Sequence, residues 1–532
     1  MRLITYVVAF CLLFAGVTLT APAKQPSAPG GSRLVIGNGT DPHTLDPYGA
    51  QSEPEYTVYK NLFEPLVAID DQNRVIPAQA IAWSLSEDGR QYRFTLREGL
   101  RWSNGDALTA RDFVFALRYA INPDNALVRA DALKNLHIVN AEDIINRRKP
   151  VESLGVQAVD DSTLLINLDI PIPYALTVIR RFIYPLHEKS IAANPKKWAH
   201  PGNMVSNGPY TLHNWVINES ITLKKNPYYY DSDSVRIEEV DFLPLSSESE
   251  LKRYQANELH IATYIPNPML EKLKRDIPEQ LVSRPVHATY FYIFNTKDPK
   301  LADARLRRAL SLAVDRPLIT NRITRGGEPP AYFATPPQAN EFTAPELPVI
   351  TQSDAERIKE AKKLYKEAGY GSDNPLKLEL LYNTREIHKQ IALAINDMWK
   401  KNLGVKLTLK NMDFSSLIAE IGQGKFELAR MGWFLTDPEP CLMLEIFKTG
   451  HAFNNMQYSN PEFDRIQKQA CTGIHNQSRA PLFDSLEHLL ASDAPIIPVH
   501  FYNRIRLVKP SVGGFPETSD DFYVKNLYFR QP

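Results

Sequence analysis

A strand–helix–strand run between residues 376 and 411 constrains the fold more than any other feature of the sequence. Leu376–Tyr382 (LKLELLY) reads as a strand. Glu386–Lys401 follows, with Ile387, Ile391, Ala394, Ile395, Met398 and Trp399 on one side at helical spacing. Gly404 ends that helix, and Val405–Leu409 (VKLTL) reads as the next strand. A helix joining two strands at this spacing is a crossover, which makes the strands parallel. The chain is therefore read as α/β, and open parallel sheets bind ligands beyond the carboxyl ends of their strands. His388 falls just past such an end, in the first turn of the helix, where free N–H groups attract anions. The competing reading is a solvated surface histidine.

Phe426–Trp433 (FELARMGW) is the second informative stretch. Phe426 and Leu428 alternate as on a half-buried strand, and Arg430 has the same parity. A guanidinium where an apolar side chain was due needs water or an anion, and it can fork onto a carboxylate with two parallel bonds. That carboxylate can belong to a guest or to the protein, with Glu427 and Asp437 the candidates at hand. Gly432 permits close backbone approach, and Trp433 offers a flat apolar wall.

Other segments repeat the alternation of strands and helices. Tyr92–Leu96 alternates with period two; Thr109, with Asp112 three residues on, opens a helix carrying Phe113, Ala116, Leu117 and Ala120 on one face. Leu301–Val314 is a second amphipathic helix, and Ser353-x-x-Glu356 is a capping box opening a third that stops at Gly369. A chain of 532 residues, 43% hydrophobic and 23% charged, is long enough for several such lobes. Lys+Arg and Asp+Glu both number 61, so net charge gives no reason to expect a nucleic-acid partner.

Residues 1–23 have the layout of a cleavable export signal: Arg2, the apolar run Tyr6–Val17, then Ala21-Pro22-Ala23. Cys11 follows Phe10 inside the apolar run, so no lipid anchor is expected. Residues 24–32 read as a flexible lead-in, and no later apolar run reaches the roughly 18 residues of a membrane span. The exported chain keeps Cys441 and Cys471, which form either one disulfide or two buried thiols. G-x-S-x-G, P-loop and G-x-G-x-x-G motifs are missing, and His187-Glu188 lacks the second histidine of a zinc protease. No catalytic role, metal or cofactor is expected.

Several segments carry a family resemblance. They are Asp41–Pro47 (DPHTLDP), Asn61–Leu66 (NLFEPL), Trp102–Val114 (WSNGDALTARDFV), Asn207–Leu212 (NGPYTL), Val314–Arg316 (VDR), Leu381–Thr384 (LYNT), Trp399–Gly404 (WKKNLG) and Leu507–Gly514 (LVKPSVGG). In this order, over nearly the whole chain, they resemble the periplasmic peptide-binding proteins of ABC importers, solute-binding protein family 5. They resemble the oligopeptide- and murein-peptide-binding branch in particular.

The resemblance implies a two-lobed periplasmic binding protein fold with mixed sheets, flanking helices, an extra inserted subdomain and a ligand cleft between the lobes. Residues 24–63, 188–287 and 504–532 would form lobe I, 64–187 the inserted subdomain and 288–503 lobe II. The chain would be a periplasmic monomer that binds a short extended peptide and delivers it to a membrane ABC permease. Gly432, Trp433 and Phe434 match the segment that pairs with the peptide backbone, and Ser52 and Glu53 match the facing segment. Arg430 and His388 match positions that meet the peptide's C-terminal carboxylate, as two waiting cations. A family lysine corresponds to Thr324, flanked by Arg322 and Arg325.

The family's Asp for the peptide's ammonium corresponds to Thr436, so either Asp437 takes that role or the ligand lacks a free amine. The second case would fit an N-blocked or cell-wall peptide, or a bile-acid-like anion. Ala288 and Phe434 replace a cysteine pair of close relatives, so a Cys441–Cys471 bridge would be a different one.

Overall fold

A computed structural model describes residues 33–531 other than 71–73, 128, 436, 476 and 520. The expected signal segment, the lead-in and Thr436 lie outside the described residues.

The main sheet has ten strands. They are β1 (Arg33–Gly37), β2 (Tyr210–Val216), β3 (Ser220–Lys225), β4 (Glu239–Leu243), β5 (Ile261–Ala262), β6 (Leu281–Phe294), β7 (Lys377–Asn383), β8 (Lys406–Met412), β9 (Leu428–Phe434) and β10 (Ile496–Val508). Their spatial order is β8-β7-β9-β6-β10-β5-β1-β4-β3-β2. Five helices matter below: α1 (Glu53–Leu62), α2 (Ala110–Ile121), α3 (Ala175–Phe182), α4 (Asp354–Glu367) and α5 (Glu386–Leu403).

The crossover forms where the sequence places it. β7 and β8 run parallel, paired from Lys377↔Lys406 to Asn383↔Met412, with α5 between them in the chain. Gly404 closes α5 at φ 72°, a left-handed conformation that glycine adopts without a Cβ penalty. The helix buries His388, Ile391, Ala392, Ile395, Trp399 and Leu403, so its inner face is rotated from the predicted stripe. His388 belongs to that face, which overturns the reading of a solvated surface histidine. Thr109 with Asp112, and Ser353 with Glu356, form the capping boxes of α2 and α4.

β9 is more deeply placed than its alternation predicts. Leu428 and Ala429 are both fully buried because separate cores pack on the two faces of the strand. β6 and β10 span the molecule. Tyr290, Tyr292 and Phe294 of β6, with Ile497 of β10, lie in the core around α5, whereas Leu507 packs in a core with Leu251 and Tyr254, against which Leu281 rests. The ladder between the two strands is irregular between Pro285 and Thr289.

A four-stranded sheet, Ala80–Leu85, Gln91–Leu96, Thr163–Asn167 and Val156–Ala158 in spatial order, carries α2 and shares one core with β1 and β4. Cys441 and Cys471 are joined by a disulfide.

Candidate functional site

Three neighbouring strands build a polar pocket around Arg430. On β6, Tyr292 stands opposite Arg430 and Tyr290 opposite Gly432; on its other side Tyr290 pairs with His500 of β10. Period-two alternation therefore gathers Tyr290, Tyr292, Arg430, His500 and Tyr502. Arg430 is 9% exposed. It donates from Nη2 to the Tyr502 hydroxyl (2.6 Å) and from Nη1 to Asn383 Oδ1 (3.4 Å), and its guanidinium lies 4.6 Å from the Tyr290 ring centre. Its buried Nε has no hydrogen-bond partner. Among the described residues no carboxylate pairs with it. Glu427 is bound by Lys300 and the Glu379 N–H, and Asp437 pairs with Arg180, so neither intramolecular candidate satisfies it.

His388 enters the same pocket from α5, 5.5 Å from Tyr290, with a buried Nδ1 that finds no partner. Burial, then Arg430, Arg385 and His500, push its imidazole down to about 3. Burial and Arg430 likewise push His500 down to about 4, against the Nδ1–H bond to the Phe501 carbonyl. The expectation of two cations is thus corrected: His388 is neutral at neutral pH, because charging it would add a second buried cation beside Arg430. The guanidinium keeps its charge; Tyr502 and Tyr290 outweigh the cost of its burial.

This inequality has a stability signature. The folded imidazole binds a proton more weakly than the unfolded one, whose value is near 6.5, so the unfolded chain takes up protons first as pH falls. The neutral form's contribution is present above that value and is lost on acidification. Relative to His388→Asn, the wild-type chain is expected to lose at most about 1.4 kcal/mol per pH unit below pH ~6.5. Urea unfolding of both proteins at pH 7, 6 and 5 measures this; parallel pH profiles would refute it.

β9 leads away from the pocket with one side uncovered. β7 pairs with it only at Leu428 and Ala429, and then α5 turns off, so Arg430–Phe434 lack a strand partner on that edge among the described residues. A Cβ on Gly432 would come within 2.8 Å of the Tyr502 hydroxyl and 3.3 Å of Arg430 Nη2, so glycine leaves room for both groups. Trp433 donates its indole N–H to the Leu442 carbonyl (3.0 Å) and packs on Phe453. Phe434 is 53% exposed and stands 4.7 Å from the Tyr502 ring. Its cross-strand partner is Ala288.

The remaining candidates are elsewhere. Ser52 caps α1 in a box with Glu55, and Glu53 pairs with Arg504 of β10 (2.5 Å). Asp437 is fully buried and ion-paired with Arg180 of α3. Thr324 is buried, donating to Glu328 (2.8 Å), while Arg322 and Arg325 are exposed. Tyr290, Tyr292, Asn383, Arg385, His500 and Tyr502 were missed from sequence. The i, i+2 pairs Tyr290/Tyr292 and His500/Tyr502 were a usable signal, but nothing in sequence says which strands become neighbours.

The family profile described as bacterial extracellular solute-binding proteins, family 5 Middle, matches residues 74–455. The chain belongs to this family. Family 5 solute-binding proteins and the relatives named here are binding proteins rather than enzymes. The periplasmic oligopeptide-binding protein OppA of Salmonella typhimurium is 37% identical over 501 residues, covering 93% of this chain and 92% of its own. The periplasmic murein peptide-binding protein MppA of Escherichia coli is 36% identical, covering 97% of each. A crystal structure of Haemophilus influenzae OppA in complex with the peptide RPPGFSPFR superposes with TM-score 0.77 at 33% identity, covering 94% of this chain and 99% of that one. The two-lobed binding-protein fold expected from sequence is therefore the family's. Among the described residues no helix is long and apolar enough to cross a membrane.

Proposed function

We propose that this family 5 solute-binding protein is exported to the periplasm, binds short peptides as extended chains between two lobes, and delivers them to an ABC permease. One observation carries the reading: among the described residues Arg430 is a buried cation with no carboxylate of its own, and it opens the stretch of β9 whose other edge has no strand partner. An extended peptide adds to such an edge as a strand, with its C-terminal carboxylate on the guanidinium. Main-chain bonds then supply affinity without strong dependence on side chains. The oligopeptide- and murein-peptide-binding relatives and the peptide complex support this choice of guest.

The lobes in this reading are residues 24–63, 188–287 and 504–532, and residues 288–503, with 64–187 inserted in the first. The division of cores along β6 and β10 and the irregular ladder near Pro285 support a hinge there. Rotation about it would close the crevice over the guest.

Mass spectrometry of the ligand released by denaturing the purified protein tests the proposal. Expected is a mixture of peptides of about three to five residues with free carboxyl ends, the length an edge of this size accommodates at ~3.4 Å per residue. A non-peptide solute as the sole ligand would contradict it.

A further inference from the structure

A guest whose carboxylate sits on Arg430 and whose chain follows the open edge toward Phe434 has its other end near Asp437. The distance from Arg430 to Phe434 is about 14 Å of extended chain. What waits at that far end bears on the class of guest.

Asp437 is not available there. It is fully buried and paired with Arg180, which is itself buried. The next residue of α3, Arg181, is the odd charge in this corner. Its guanidinium lies 3.5 Å from the Tyr56 ring centre, and its buried Nε has no hydrogen-bond partner. Among the described residues it forms no ion pair with Asp521 or Asp437. Asp521 is already held by Lys60 and by the Tyr56 hydroxyl (2.6 Å), and Glu53 by Arg504. Arg181 is only partly buried. α3 also lies at the seam between the proposed lobes: Tyr174, its N-cap, packs on the core of residues around Phe447 and Phe463, and the Gly473 N–H donates to the Pro171 carbonyl (2.9 Å).

From this arrangement we infer that the crevice is built for a peptide-like chain that is anionic at both ends, with Arg430 taking the C-terminal carboxylate and Arg181 a second anion at the amino end. A free α-ammonium would instead enter beside a guanidinium that has no ion pair among the described residues, while Asp437, Asp521 and Glu53 are each engaged by other cations. This inference rests on the peptide-binding reading and narrows it.

Calorimetry on the full exported chain tests it with three probes: tetra-alanine with a free amine, N-acetyl-tetra-alanine and N-succinyl-tetra-alanine. The succinyl peptide, which carries a carboxylate at its amino end, is expected to bind about tenfold or more tightly than the free-amine peptide, with the acetyl peptide between them. Arg181→Gln is expected to invert that order: the succinyl peptide loses affinity and the free-amine peptide gains it. Arg181→Lys, which keeps the charge, is expected to retain the wild-type order. The wild-type ranking is decisive even if a variant folds poorly. Free-amine binding as tight as succinyl binding, or tighter, overturns the inference and leaves the peptide reading intact. Failure of all three peptides to bind overturns both.

Discussion

Arg430→Ala is expected to weaken binding of free-acid peptides by about 2–5 kcal/mol, roughly 30- to several-thousand-fold in Kd. The size follows from the pocket. The guanidinium is 9% exposed, its hydrogen bonds go to neutral Tyr502 and Asn383, and its neighbours His388 and His500 are held neutral. Arg385, the other cation felt by His388, is exposed and screened by water, so it does not take the place of the buried guanidinium. A carboxylate desolvated there without Arg430 has only neutral donors in the buried part of the pocket. The same variant should bind C-terminally amidated peptides about as the wild type does, because their affinity does not use the ion pair. Arg430→Lys should fall between, since an ammonium keeps the charge but cannot fork onto two oxygens. Calorimetry with matched acid and amide tetrapeptides decides the matter. An acid-to-amide preference that survives in Arg430→Ala would place the carboxylate elsewhere.

Asp437→Ala should cost about 3–5 kcal/mol of unfolding free energy, the expectation for a buried charge stripped of its partner. Both members of the Arg180–Asp437 pair are buried, and they join α3 to the segment following β9. The pair therefore ties the proposed inserted subdomain to lobe II. Its loss should loosen that seam as well as lower stability. Replacing both residues by apolar ones, Arg180→Leu with Asp437→Leu, should recover most of the loss, because no uncompensated charge then remains. Denaturant unfolding of the two proteins measures this. A single variant as stable as the wild type would mean that Arg180 reaches water or another anion once Asp437 is gone.

Much of the fold was legible because its signals are local. The crossover, the stop at Gly404 and the capping boxes at Thr109 and Ser353 each depend on residues within a few positions of one another, and each is present. Burial was harder. The alternation of Phe426 and Leu428 pointed to one buried face, whereas an interior strand of a ten-stranded sheet is covered on both. The site divides in the same way. Arg430 stood out because a cation broke an apolar pattern, and that anomaly is visible in sequence. The ionisation of His388 was not, since it depends on an arginine 42 positions away in sequence and on His500 of another strand. The engagement of Asp437 by Arg180 was equally hidden, because 257 residues separate them.

The most direct measurement is a crystal structure of the protein with a bound tetrapeptide free acid. Main-chain hydrogen bonds are expected between the peptide and the uncovered edge of Arg430–Phe434, with both carboxylate oxygens on the Arg430 guanidinium and a neutral His388 beside them. A guest lodged elsewhere, with that edge covered by the protein's own chain, would contradict this expectation.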